Sequence, residues 1–243
     1  MAEAESLPRE TVFKELELWP VWRLQSARPP DTPAPEKTLT VTAEKNPDPA
    51  TITGWDALHE AVNTCTTCKL HTTRTQGVLG VGDQHADWLI IGEAPGADED
   101  ARGEPFVGQA GRLLDAMLAA IGLQRGQNVY ITNILKSRPP ENRNPESDEV
   151  AACLPYLLKQ IELLQPKIIL ALGRFAAHSL LNTQESIVQL RGRVHSFQGV
   201  PLIVTYHPAY LLRTPIDKAR AWEDLCLART SYASVQLNQT SPP

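Results

Sequence analysis

Cysteine, long apolar runs and excess positive charge are all scarce in this 243-residue sequence, and each scarcity excludes something. Four cysteines in a chain of this length point to a reduced compartment, where they serve as ligands or core residues rather than in disulfides. No apolar run approaches the roughly 20 residues that span a bilayer. The first ten residues, MAEAESLPRE, have neither the basic start nor the apolar core of a secretory signal. A soluble cytoplasmic protein is therefore expected. A formal net charge of −5 argues against a bulk nucleic-acid scavenger, although a local basic face remains compatible with it. Hydrophobic content of 42% and charged content of 21% suit a globular domain with one sizeable core and room for a tail.

The tail is expected at residues 1–54. Pro8, Pro20, Pro29, Pro30, Pro33, Pro35, Pro47 and Pro49 crowd this stretch and oppose a packed core there. Within it, residues 10–24 carry Phe13, Leu16, Leu18, Trp19, Val21, Trp22 and Leu24. Exposed tryptophans before a proline-rich linker suit either a docking peptide or an arm folded back on its own domain. The domain proper is expected over 55–229, with a disordered tail from 230 to 243.

Four apolar runs mark strands: Trp88–Ile91, Val129–Thr132, Ile168–Leu172 and Leu202–Tyr206. Helical patterns lie between them. This alternation predicts a three-layer α/β/α domain around a central four-stranded parallel sheet. The loops that follow the strands then emerge at one carboxyl edge, where such sheets bind ligands. Those loops hold unusual chemistry. The first is GEAPGADEDARGEPFVGQAG, residues 92–111, rich in glycine and carboxylate. It lacks the Lys-Ser/Thr pair of a phosphate-binding loop, and its carboxylates would repel a pyrophosphate. The second strand ends at Asn133, whose amide suits reading a base edge. The fourth ends at His207 before Pro208. Upstream, a helix expected over Trp55–Leu70 contains Cys65-Thr66-Thr67-Cys68, a spacing shared by metal or cluster chelates and by redox dithiols.

Several pieces occur in one order: GEAPG at 92–96, PFVGQAG at 105–111, VYITN at 129–133, RPPENRNP at 138–145, LRGRVH at 190–195 and HPAYLLR at 207–213. Together they resemble the family 4 uracil-DNA glycosylases, thermostable-type enzymes with an iron–sulfur cluster, over roughly residues 55–229. The resemblance implies excision of uracil flipped out of DNA, the first step of base-excision repair. It implies a pocket formed by Gly92, Ala94, Glu99, Phe106, Asn133 and His207. Phe106 would stack on the base, and Asn133 would donate to uracil O4 and accept from N3–H. His207 would donate to O2. Glu93 would orient a water or stabilise the sugar cation, and Glu99 would help to exclude the thymine methyl.

Lys136, Arg138, Arg143, Arg191, Arg193 and Arg213, with Lys218 and Arg220 beyond them, are expected as phosphate contacts along the crevice. Leu211 and Leu212 are expected as a wedge into the duplex. Three of the family's four cluster ligands are matched, by Cys65, Cys68 and Cys153. The fourth position holds Ser137, a poor iron ligand. A 4Fe-4S cluster that is bound but weakened is the expectation, with a three-iron form or loss of the cluster as alternatives. Cys226 reads as a buried apolar thiol. Residues 10–24 also distantly resemble the tail of the psi subunit of the bacterial polymerase III clamp loader. That adds a replisome partner, and a non-catalytic psi-like adaptor as an alternative function. A bacterial cytoplasmic monomer is the expected setting.

Overall fold

The computed structural model describes residues 48–240, with side chains through residue 237. The docking segment expected at 10–24 and most of the proline-rich tail lie outside the described residues. The first helix, α1 (Trp55–Thr64), buries Leu58, Ala61 and Val62. It stops before the cysteine pair: Cys65 leaves the helix at φ −59°, ψ 128°, and a short 3-10 turn, Lys69–Thr72, follows. The single helix expected over 55–70 is thus broken at Cys65. The consecutive β-branched residues Thr66 and Thr67 favour extended backbone there.

The sheet follows. Strand β1 (Val81–Gly82) is very short, β2 spans Trp88–Gly92, and two helices, α2 (Ala97–Arg102) and α3 (Gln109–Ala120), lead to β3 (Val129–Asn133). The long helix α4 (Ser147–Leu164) returns the chain to β4 (Ile168–Leu172). Helices α5 (Arg174–Leu181) and α6 (Ile187–Leu190) precede β5 (Val194–Phe197) and β6 (Val200–Thr205). The chain closes with α7 (Pro208–Arg213) and α8 (Lys218–Thr240). Strand order is β1-β3-β2-β4-β6-β5. The inner four, β3-β2-β4-β6, are parallel, and both edges are antiparallel. The expected parallel core is present, and the sheet is larger by two edge strands. β5 and β6 are joined by a tight turn in which Gln198 and Gly199 both take positive φ, 48° and 83°, as a two-residue hairpin requires.

The parallel strands are buried on both faces, so their sequences are almost continuously apolar. Alternate residues face opposite layers. Leu89, Ile91, Ile169, Ala171, Leu202 and Val204 pack with Leu157 and Ile161 of α4 and with Ala176 and Leu180 of α5. Trp88, Ile90, Ile131, Leu170 and Ile203 pack instead with Leu114 and Leu118 of α3 and with Leu225 and Ala228 of α8. This is the three-layer α/β/α arrangement. The stretch after residue 230, expected as a disordered tail, continues α8 to Thr240. Tyr232 anchors it, its ring 5.1 Å from that of Trp88 and its hydroxyl donating to Asp87.

The chain reverses direction of growth between β2 and β4, and the crevice outside their carboxyl ends is the binding position of such sheets. Register brings Gly92 opposite Asn133 and Leu172 opposite Thr205. The loops beginning at Glu93, Gly173 and Tyr206 therefore open onto one edge.

Candidate active site

A crevice of about 830 Å³ at this edge is lined by Glu93, Ala94, Glu99, Phe106, Asn133 and His207 among others. Sequence positions more than a hundred residues apart meet there because each closes a parallel strand or opens the loop after it.

Asn133 ends β3 and is buried, and its Oδ1 has no hydrogen-bond partner. Leaving a buried acceptor unpaired costs on the order of 1–3 kcal/mol, so such an atom marks a place where a ligand donor belongs. Its neighbour across the register must be glycine: a Cβ on Gly92 would strike the Asn133 carboxamide oxygen and the Phe106 ring. Phe106 itself takes φ 56°, left-handed backbone that a bulky residue rarely adopts. It is held there by Arg125, which donates to the carbonyls of Pro105 at 3.1 Å and Phe106 at 2.9 Å and pairs with Asp115. A Cβ on Gly111 would overlap the Phe106 carbonyl. Arg125, nineteen residues downstream in a loop, carried no sequence signal for this task.

His207 opens α7, its Nδ1 accepting from the Ala209 N–H at 3.1 Å. With Nδ1 used as an acceptor, the proton of the neutral ring sits on Nε2. Burial, with Arg213 adding to it, lowers the imidazole to about 4, so the ring is neutral near pH 7. Its ring lies 5.5 Å from that of Phe106 at 29°, which leaves no room for a base between the two. Glu93 lies at the start of the loop after β2. Burial raises its carboxyl to about 7, with the Arg174 charge pulling the other way. Glu99 borders the crevice, but both its oxygens are engaged: they accept from the N–H groups of Gly96, Val107 and Gly108 at 3.0–3.2 Å. It staples the loop that carries Phe106 rather than offering free acceptors.

The basic residues divide. Arg143, Arg174, Arg213 and Arg220 line the crevice. Arg174, at the start of α5, was not singled out from sequence, and its guanidinium lies 4.8 Å from the Phe175 ring centre. Arg143 reaches the rim while bonding buried Glu149 through both terminal nitrogens. Arg138 donates to Asn142, and exposed Arg193 pairs with Glu185. Two expected phosphate contacts are corrected. Lys136 is 1% exposed and its ammonium points into the protein. Arg191, 13% exposed, spends its guanidinium on Asp224, Glu223 and the Arg220 carbonyl. The wedge expectation also changes. Leu211 is buried in the core, whereas Leu212 and Ile216, the latter 83% exposed, project beside rim residues Arg213 and Asp217.

Behind the crevice, Cys65, Cys68, Cys153 and Ser137 line one small cavity with Arg74, His71 and Tyr156. Cys68 and Cys153 share a hydrogen bond, which draws the Cys68 thiol down to about 6 and pushes Cys153 well up. The Lys136 N–H donates to Cys153 Sγ at 3.4 Å. Arg74 donates to Ser137 Oγ at 2.8 Å and to the carbonyls of Asn63 and Cys65. Among the described residues no group of three His, Cys, Asp or Glu side chains stands in metal-holding geometry. Thiolate character at one cysteine, N–H donors and a nearby guanidinium are nonetheless the surroundings an anionic thiolate-bound centre needs. Cys226 is half-buried on α8, far along the chain from this group. No helix among the described residues is long and apolar enough to cross a membrane.

Residues 79–226 match the family model of the uracil DNA glycosylase superfamily. The chain is similar to the type-4 uracil-DNA glycosylase of Archaeoglobus fulgidus, 46% identical over 66% of this chain and 84% of the relative. It is 43% identical to that of Pyrobaculum aerophilum, over 70% of this chain and 90% of the relative. With that of Saccharolobus solfataricus identity is 44%, over 74% and 87%.

Proposed function

This chain belongs to the uracil-DNA glycosylase superfamily, among its type-4 members, and from that premise we propose that it hydrolyses the N-glycosidic bond of uracil flipped out of DNA, starting base-excision repair. The observation that carries the reading is the unpaired, buried Asn133 Oδ1, set in one crevice with a neutral His207. Uracil N3–H satisfies that oxygen, and the Asn133 amide N–H₂ donates to O4. Cytosine, with a bare N3 acceptor and an amino group at position 4, mismatches both.

The chemistry follows from charge. As the bond from C1′ to N1 lengthens, its electron pair moves onto the uracil and the sugar becomes cationic. The His207 Nε2–H donates to O2, stabilising the uracil anion from a ring that begins uncharged. Glu93, held near pH 7, is partly ionised under working conditions. Its carboxylate faces the developing cation and accepts the proton of the water that adds to C1′. Phe106 supplies the stacking surface and Gly92 the close backbone approach. Glu99 acts on base selection through the loop shape it fixes, which is how the thymine methyl is kept out. Arg143, Arg174, Arg213 and Arg220 contact phosphates at the rim.

Cys65, Cys68 and Cys153 are the residues that would hold an iron–sulfur cluster, with the oxygen of Ser137 at the fourth corner. Such a group would act as a structural brace for the loop behind Asn133, since it lies away from the reacting atoms. Three thiolates and one neutral hydroxyl make a weaker holder than four thiolates. The adaptor reading is the second candidate, and it is disfavoured because the full set of pocket residues is retained. Its docking segment, residues 10–24, lies outside the described residues. Incubation with a uracil-containing oligonucleotide followed by alkaline cleavage tests the function. Strand scission at the uracil position is expected, and a folded protein that leaves the strand intact would return the adaptor to first place.

A further inference from the structure

Among the described residues Lys136 is the most deeply buried basic side chain, 1% exposed; it has no task in the chemistry above, and its surroundings give it one. The chain leaves β3 at Asn133, and the next two residues are tied to the neighbouring loop, Ile134 N–H to the Gly92 carbonyl and Leu135 N–H to that of Glu93, both at 3.0 Å. The Lys136 side chain then folds back over the strand end. Its Nζ donates to the Asn133 carbonyl at 2.6 Å, to Thr132 Oγ1 at 2.7 Å and to Gln160 Oε1 at 2.5 Å. All three acceptors are neutral oxygens, and burial draws the lysine down to about 7. The acceptors are themselves braced: Thr132 donates to the Leu79 carbonyl at 2.6 Å, and Gln160 Nε2 donates to the same carbonyl at 2.9 Å and to the Tyr130 hydroxyl.

We propose that Lys136 is a positioning residue for base recognition: its side-chain Nζ fixes the Asn133 peptide, and through it the plane of the carboxamide that meets the base. The proposal rests on Asn133 reading the uracil, as inferred above. The Asn133 side chain makes no bond of its own through Oδ1, so its orientation is inherited from its backbone and from the packing of Gly92 and Phe106. A peptide free to tilt at the end of a strand would sweep the carboxamide across the base edge. The Lys136 Nζ donor on its carbonyl, locked by a threonine and a glutamine on different elements, prevents that. The main-chain N–H of the same residue bonds Cys153 Sγ, so the cysteine site and the base pocket share this one residue as a support.

The test is a double-mutant cycle on the purified full-length protein, with Lys136→Met and Asn133→Ala, read as single-turnover excision from uracil-containing DNA. Affinity for DNA holding an abasic site, iron content and thermal midpoint are measured alongside. Misplacement on the order of 1 Å costs about 10²-fold in rate, so Lys136→Met is expected to slow excision by about 10- to 100-fold. Abasic DNA has no base for Asn133 to read, so its affinity is expected to stay within about twofold. In the Asn133→Ala background, adding Lys136→Met is expected to cost less than about threefold, because coupled residues are not additive. Additive losses, or abasic-site affinity falling in step with excision, would overturn the proposal. If Asn133→Ala alone excises normally, the reading of Asn133 fails, and that outcome is distinct from a failure at Lys136. Should Lys136→Met not fold, Thr132→Val removes one brace at nearly constant volume. It is expected to give a smaller loss with the same insensitivity on abasic DNA, and unchanged excision by it would overturn the proposal.

Discussion

Replacing Glu93 by Gln separates what the carboxylate does for the reaction from what it costs the fold. Burial lifts this carboxyl from 4.5 to about 7. At about 1.4 kcal/mol per pKa unit, the ionised form is disfavoured in the folded protein by about 3 kcal/mol. The sign is opposite to the usual carboxylate. Between pH 4.5 and 7 the folded state binds more protons at Glu93 than the unfolded chain does, so stability falls as pH rises through that window and levels off above it. Glutamine keeps the shape and carries no charge. Glu93→Gln is therefore expected to be more stable than the parent at pH 8, by up to about 3 kcal/mol, or about 6–12 °C in thermal midpoint for a domain of this size. The gain should vanish near pH 4.5. The depressed His207 destabilises both proteins equally as pH falls below 6.5 and cancels from the comparison. Thermal or urea unfolding of both proteins at pH 5 and pH 8 measures it. Single-turnover excision by the parent should rise through pH 7, and that limb should disappear with the carboxylate. An equal stability difference at both pH values would refute the reasoning, because it would arise from packing and not from ionisation.

Ser137→Cys restores a thiol at the fourth corner of the cysteine site. Anaerobically purified variant protein is expected to hold more iron and to lose it more slowly to a chelator than the parent, and equal retention would show that Ser137 is no weak point. Salt titrations of DNA affinity separate rim arginines from structural ones. Arg213→Ala should reduce the log–log slope by about 1, while Arg191→Ala, which breaks the pair with buried Asp224, should leave the slope and lower the thermal midpoint. Ile216→Ser is expected to weaken excision from double-stranded more than from single-stranded DNA, because only a duplex needs a wedge; Leu212→Ser should act in the same direction.

The four parallel strands were legible because burial on both faces leaves a run of apolar residues that no other element needs. The edge strands were not. β1 has only two residues, one a glycine, and β5 alternates between exposed and half-buried positions, so neither carries a run. Asn133, His207, Glu93 and Phe106 were legible as residues at strand ends and in the loop between β2 and β3, and the structure brings all four to one crevice. The tautomer of His207 was not, since it depends on an N–H two residues on that only the α7 turn aims at Nδ1.

What the sequence determined by itself is the four parallel strands, the edge at which their loops gather and the chemistry those loops hold, because an apolar run and glycine or proline at a turn are local properties of the chain. What only the tertiary structure decided is which charges face the solvent. Lys136 and Arg191 read like their neighbours Arg138 and Arg193, yet Gln160 on α4 draws the first inward and Asp224 on α8 the second. A cation is buried only when acceptors elsewhere in the fold replace its water, and those acceptors lie 24 and 33 residues away along the chain.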